Sequence, residues 1–370
     1  MKIVIISRCI YPAIAPRPFR ATELAKYFAK NGHDVYLYAS LGKYDYTGFE
    51  RNTGIHVCSI GTMHFSTLNS DGHQRNNFCD RIARQIFGRS FEYPDIELAW
   101  KTKKVLEKLS DVDLLITIAI PHPIHWGAAW AKKKMGTKFP KVWISDCGDP
   151  YMGNTVGGDK RPAYFQKIED FWGRQTDYIT IPVEDGRKGY SPKVQDKIRI
   201  IPQGFDFSNV SIDKDFQRNT IPHFAYAGAT YPGYRDPTKM LQYLSTLKNT
   251  DFRFVVYTKA HSFFNQFKDA LGDRLIIKNY IPREQLLFEL SQMDFLVNLK
   301  NNSSVQSPSK LIDYYLTQRP IIDITTDFNE KENLEEFLNG TYIHQHIKAD
   351  ISQFDINNVG AQFLKIAQNP

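Results

Sequence analysis

The sequence predicts an α/β protein made of two Rossmann-like, doubly wound parallel-sheet domains facing a central cleft. Three observations carry that expectation. At 370 residues the chain is longer than one hydrophobic core ordinarily fills. Compact β-branched runs alternate with stretches of helical periodicity along most of it. The alternation pauses once near the middle, at the Pro/Gly exit "IIPQGFD", and then resumes.

Element by element, "KIVIIS" reads as a buried strand, and Leu24, Ala25 and Phe28 then recur at helical spacing until Asn31-Gly32 stops the helix. "DVYLYA" follows as a second strand, which completes a βαβ unit. "DLLITIA", "KVWISD" and "YITIPV" continue the strands, "IHWGAAWAKKKM" is a helix between them, and "KIRIIPQGFD" closes the first domain. The second series opens with "HFAYAGA" and a helix near 236–247. It goes on through "FRFVVYT", "LIIKNY", "FLVNL" and "PIIDIT", alternating with helical "REQLLFELSQM" and "SKLIDYYLTQ". Domains are therefore expected at 1–202 and 203–355, with a helix in 356–370.

Composition narrows the class. Hydrophobic residues at 42% and charged residues at 24% are ordinary for a folded globular chain. No apolar run reaches membrane-spanning length, and the N-terminal run is interrupted by Arg8. Four cysteines without CxxC spacing suggest neither a zinc site nor a disulfide framework, so a reducing, cytoplasmic setting is expected. The net charge of +7 is uneven: residues 1–199 hold 30 basic and 21 acidic side chains, net +9, which leaves −2 for the remainder. A basic first half suits a phosphorylated acceptor or the anionic face of a membrane. Stretch 73–108 mixes Arg75, Arg81, Arg84, Arg89, Lys101, Lys103, Lys104 and Lys108 with Phe78, Phe87, Phe91, Tyr93 and Trp100. It reads either as a peripheral membrane-contact surface or as an insertion whose aromatics pack on the core. Nothing else resembles a nucleic-acid module, and no nucleic-acid partner is expected.

"SPSKLIDYY" carries the sharpest chemistry. Pro308 fixes a turn after a strand, and Ser309 and Lys310 fall in the first turn of a helix, where free amides and the dipole suit a nucleoside diphosphate. In "AYAGATYPGYRDP", Gly228 after a strand lets backbone approach a phosphate, and Arg235 can reach the same group. Arg17 and Arg20, at the mouth of the first strand and the start of the first helix, are placed to grip an acceptor phosphate. Asp111-Val112-Asp113 has the spacing of a metal-binding pair but precedes a core strand, so it reads as a solvated turn, and no metal is expected.

Taken in order, "PRPFRATELAKYFAKNGHDVYLYA", "IPHPIHWGAAWAKKK", "WISDCGDPY", "IEDFWGRQTDYITIPVEDGRKGY", "IIPQGFD", "FAYAGATYPGYRDP", "NYIPREQLLFELSQMDFLVNL" and "SPSKLIDYYLTQRPII" resemble the retaining GT-B glycosyltransferases of family 4. The likeness is greatest to the branch that builds bacterial surface polysaccharides. It implies a sugar-nucleotide donor (UDP-, GDP- or dTDP-linked) on the C-terminal domain and a glycan or polyprenyl-linked acceptor on the N-terminal one. No cofactor beyond that co-substrate is implied, and the last helix is expected to cross back to the first domain. The resemblance places His125 beside the donor sugar's reacting carbon, with His122 as a rival, and gives Asp313 the ribose hydroxyls. It puts main-chain base contacts around Ile281, and Asp146 and Asp149 on the acceptor side. Glu169 matches an acidic family position and reads equally as an exposed helix carboxylate. Val305 stands where the family often has a sugar-binding acid, so the backbone of Gln306 and Ser307, or Asn301 and Asn302, is expected to substitute. Arg235 and Lys310 then neutralise the leaving diphosphate, as a metal does elsewhere. A sugar-nucleotide epimerase of the same fold and a non-catalytic carbohydrate-binding partner are the alternatives.

Overall fold

The computed structural model describes residues 1–13, 15–65, 87–88, 90–153, 161–208, 210–233, 235–300, 309–348 and 350–368, with Ser309 and Lys310 described in backbone only. The chain forms two compact units, one of residues 1–206 plus 353–370 and one of residues 207–352.

The first unit begins with β1 (Lys2–Ile6), α1 (Pro16–Lys30), β2 (Asp34–Ala39), α2 (Thr47–Thr53) and β3 (His56–Ser59). It continues through α3 (Glu97–Leu106), β4 (Leu114–Ala119), α4 (Pro123–Met135), β5 (Val142–Cys147), α5 (Phe165–Gln175), β6 (Tyr178–Ile181) and β7 (Ile198–Ile200). All seven strands pair in parallel, in the order β3-β2-β1-β4-β5-β6-β7. The order reverses between β1 and β4, the switch point at whose carboxyl side open α/β sheets gather ligands. β4 and β5 are buried at every position, as expected of central strands covered on both faces. At the opposite end, Asp113 is not a freely solvated turn residue. Its carboxylate accepts from the Lys2 amide at 2.8 Å and from Lys141 at 2.7 Å, tying the strand starts together.

Part of stretch 73–108 is the helix α3. α3 packs against α4 so closely that a Cβ on Gly127 would lie 2.2 Å from the Ala99 carbonyl oxygen. α3 also contributes the buried Leu98, Ala99 and Leu106 to the core, while Trp100 stays exposed. Arg75, Phe78, Arg81, Arg84 and Arg89 lie outside the described residues.

The second unit holds β8 (His223–Ala227), α6 (Thr238–Thr246), β9 (Arg253–Tyr257), α7 (His261–Asn265), α8 (Lys268–Leu271) and β10 (Leu275–Lys278). After these come α9 (Arg283–Ser291), β11 (Phe295–Leu299), α10 (Ser309–Leu316), β12 (Ile321–Ile324) and α11 (Lys331–Leu338). Its five parallel strands run β10-β9-β8-β11-β12, so the order reverses between β8 and β11. Two apolar layers cover the sheet, one centred on Phe224, Phe254 and Phe295, the other on Leu290, Leu296 and Tyr314.

The last helix, α12 (Ile356–Gln368), belongs to the first unit. Val359 and Phe363 are fully buried in the same layer as Leu24, Ala25 and Phe28 of α1. Gly360 sits against the Tyr27 ring, where a Cβ would come within 2.1 Å.

Candidate functional site

In the second unit the described donor-side positions follow the carboxyl ends of strands, Gly228 and Arg235 after β8, Ile281 after β10 and Asp313 in the helix after β11. Gly228 follows β8 directly with φ of 142°, a conformation that a residue with a Cβ rarely adopts. Its amide donates to the Tyr257 carbonyl at 2.8 Å, so the close approach it permits rests on the missing side chain and not on a free N–H. Arg235 lies in the loop that follows, where its backbone pairs both ways with Tyr231. Its guanidinium meets the hydroxyl of Tyr226, which itself donates to the Ala229 carbonyl at 2.6 Å. Burial pushes the Tyr226 phenol up while Arg235 pulls it down.

α10 starts at the carboxyl end of β11, on the other side of the switch point. The Tyr314 hydroxyl, fully enclosed, accepts the Ala227 amide at 2.9 Å and pins this helix to the end of β8. Position 310 is one turn N-terminal of Tyr314 along α10. Asp313 does not present a free carboxylate. Arg283, at the start of α9, reaches its Oδ1 with Nε at 2.8 Å and Nη2 at 2.7 Å. Burial raises the Asp313 pKa, and Arg283 opposes that rise. A ribose would share this carboxylate with Arg283. Ile281 precedes Arg283 after β10, half-buried against the same apolar layer. Asn301, Asn302, Gln306 and Ser307, and the side chains of Ser309 and Lys310, lie outside the described residues.

In the first unit the structure divides the predicted acceptor residues. Arg20 is not free to grip an incoming phosphate, and Asp146 does not present its carboxylate to an acceptor, because the two are spent on each other. Arg20 donates to Asp146 with Nη2 at 2.8 Å and Nε at 3.3 Å, and both side chains are 2% exposed. Arg20 also donates to the carbonyls of Ile201 and Pro202, and Thr180 donates to Asp146 at 2.7 Å. Burial opposes the charge on Asp146, but Arg20 and Arg17 hold its pKa below the usual carboxylate value. Arg17 reaches the same carboxylate at 3.4 Å while keeping 20% of its side chain exposed. Asp149 is half-buried nearby and adds a favourable charge to Arg17. Arg17 and Asp149 are thus the predicted acceptor residues that remain open to a ligand.

His125 is also not where a sugar could meet it. Its ring is wholly buried, with Nδ1 2.8 Å from Thr117 Oγ1, Nε2 3.4 Å from Cys147 Sγ, and Trp172 against its face at 4.8 Å. Burial lowers its pKa well below the usual imidazole value and takes that of His122 down to about 3, so both rings are neutral. Glu169 is enclosed as well, accepting the Met152 amide at 3.0 Å, and is not an exposed helix carboxylate.

No family model matches the sequence, and no characterised protein matches it by sequence. Comparison of structures gives a clear result. The chain aligns over 100% of its length with a glycosyltransferase from Rickettsia africae ESF-5, covering 98% of that chain at 13% identity and a TM-score of 0.64. The fold is GT-B. The lipopolysaccharide outer core galactosyltransferase WaaB in its apo form aligns over 100% of this chain and 99% of its own, at 12% identity and a TM-score of 0.61. The UDP-GlcNAc 2-epimerase from Neisseria meningitidis, bound to UDP-GlcNAc, aligns over 100% of both chains at 9% identity and a TM-score of 0.57. At such identities the likeness shows the GT-B fold alone. That fold serves both transfer and epimerisation, so the site residues have to carry the choice.

Proposed function

We propose that the protein is a glycosyltransferase that moves a sugar from a nucleoside diphosphate donor to a hydroxyl of a glycan or polyprenyl-linked acceptor, with retention of configuration, in surface polysaccharide synthesis. The observation that supports the donor half is the order of the second sheet, which puts the Gly228–Arg235 loop after β8 and α10 after β11 on either side of the strand reversal, with Tyr314 of α10 bonded to the Ala227 amide. Amide dipoles and cations there suit a diphosphate. Arg235 and Lys310 stabilise the departing diphosphate in place of a metal, and Ser309 adds a hydroxyl donor. The acceptor hydroxyl attacks on the leaving group's face and passes its proton to the departing phosphate oxygen, so no carboxylate base is required. Ile281 borders the base, Asp313 shares its carboxylate between Arg283 and the ribose, and the backbone of Gln306 and Ser307 faces the sugar. Arg17 and Asp149 hold the acceptor side.

The exposed aromatics Phe87, Phe91 and Trp100, with the positive charge of the first half, support a cytoplasmic protein that rests peripherally on the inner membrane face. Among the described residues, no helix is long and apolar enough to cross a membrane.

A thermal-shift screen with UDP-, GDP- and dTDP-linked sugars identifies the donor, and transfer from it is then measured. Arg235→Ala and Lys310→Ala are each expected to lose about 10²-fold or more in turnover while folding normally. Near-normal turnover in both overturns the assignment. An epimerised sugar still joined to its nucleotide, formed without acceptor, favours the epimerase reading that the Neisseria meningitidis neighbour motivates.

A further inference from the structure

Three side chains with metal-ligating atoms meet in the interior of the first unit, between β4, β5 and α4. One donor atom from each of His122, His125 and Cys147 lies within 4.8 Å of the other two, and all three residues are buried. The sequence gives no hint of this, because Cys147 stands 22 residues beyond His125 and no metal spacing links them. The cluster forms because β4 and β5 are register neighbours, with Ala119 opposite Cys147, and the chain leaving β4 places His122 at the N-cap of α4 and His125 in its first turn.

The 3.4 Å contact from His125 Nε2 to Cys147 Sγ could on its own be a thiol hydrogen bond. A second observation points further. His122 is 97% buried and its Nδ1 has no hydrogen-bond partner among the described residues. Leaving a buried polar atom unmade costs about 1–3 kcal/mol, and such orphans call for a physical explanation. We propose that His122, His125 and Cys147 form a closed binding site for one thiophilic d10 cation, of the Zn²⁺ or Cu⁺ class.

The surroundings match what such ligands need. When His125 Nδ1–H donates to Thr117 Oγ1 at 2.8 Å, Nε2 turns a lone pair toward the sulfur. Thr117 is itself held by the Trp143 indole N–H at 2.8 Å, so a hydrogen-bonded outer shell already fixes the ring. Metal–sulfur and metal–nitrogen bonds of about 2.3 and 2.0–2.1 Å place N and S about 3.6–3.8 Å apart, so that contact needs only a few tenths of an ångström. The wider separations close by about 1 Å. On binding, the Cys147 thiol proton passes to solvent and a metal–sulfur bond replaces the S–H bond. Thiolate and imidazole together select soft d10 ions, and the three donors suit trigonal Cu⁺ or supply three of the four positions of tetrahedral Zn²⁺. The cluster belongs to the first unit and the proposed donor residues to the second.

The test uses the full chain with Cys9, Cys58 and Cys79 changed to Ser, so that Cys147 is the one remaining thiol. The protein is produced in media supplemented with zinc, copper or cobalt, because a closed site fills as the chain folds, and metal content is measured by mass spectrometry. About one equivalent per chain is expected from the zinc or the copper culture, with a sulfur-to-cobalt charge-transfer band in the cobalt protein. His122→Gln and Thr117→Val in the same background should each weaken retention against a chelator about 10- to 100-fold. Metal-free protein from all three cultures, or bound cobalt without the sulfur band, overturns the proposal. This readout does not depend on whether a Cys147 variant folds.

Discussion

The buried pair of Arg20 and Asp146 offers the sharpest quantitative test of the first unit. Asp146→Ala removes an acceptor used by Arg20 Nε, Arg20 Nη2, Arg17 Nη1 and Thr180 Oγ1. It leaves a guanidinium only 2% exposed, with the Ile201 and Pro202 carbonyls as its remaining polar partners and Phe363 against its face. Breaking a buried pair on one side costs about 3–5 kcal/mol, since the surviving charge stays desolvated. For a unit of this size each kcal/mol moves the midpoint by about 2–4 °C, which gives a fall of about 6–20 °C. The assay is built into the chain. All five tryptophans lie in the first unit, so tryptophan fluorescence follows its unfolding alone. Replacing both partners, as in R20L/D146L, should recover most of the loss, because apolar side chains carry no stranded charge. A midpoint change under about 3 °C for Asp146→Ala, or a double variant no better than the single one, would refute the reasoning.

Acid should act on the same pair. The folded pKa of Asp146 lies below its ordinary value of 3.8, so its contribution is complete above that value and disappears as pH falls through the folded pKa. Fluorescence-detected stability of wild type and Asp146→Ala should therefore converge as pH drops below about 4, and a gap independent of pH would contradict this. In the core, Gly127→Ala should cost at least about 2 kcal/mol, because the added methyl meets the Ala99 carbonyl and the Thr102 Cβ with no flexible group to yield. Gly48→Ala in α2, where nothing lies within 4 Å, is the matched control and should unfold within a few degrees of wild type by the same fluorescence melt.

Much of the architecture was legible because period and punctuation agree. β2 and β11 occupy the stretches "DVYLYA" and "FLVNL" without shift, since their apolar runs are bounded by residues that cannot extend them. α2 and β3 were not anticipated. α2 buries no residue and β3 is only half-covered, so neither writes an apolar period into the sequence. The site was legible for backbone and less so for side chains. Gly228 after a strand announces itself, because a single missing Cβ decides what the loop can do. The partners of Asp313 and Asp146 did not, since Arg283 and Arg20 reach them across 30 and 126 residues of sequence. Thr180 was the available clue, a hydroxyl inside an otherwise apolar strand that needed a buried partner. Tyr314 gave no clue beyond its place in a Tyr-Tyr pair, because its role depends on how α10 lies against β8.

The route of the chain has a consequence for how the protein is made. The first unit's own layer around Phe28 is finished by Val359 and Phe363, which are translated only after all 146 residues of 207–352. At about 5–20 residues per second, the ribosome takes roughly 8–30 s to add what that layer lacks. During that interval the α1 face carrying Leu24 and Ala25 stands partly bare, a surface that nascent-chain chaperones recognise. The second unit, by contrast, is continuous in sequence and can complete its core first, although it is synthesised later.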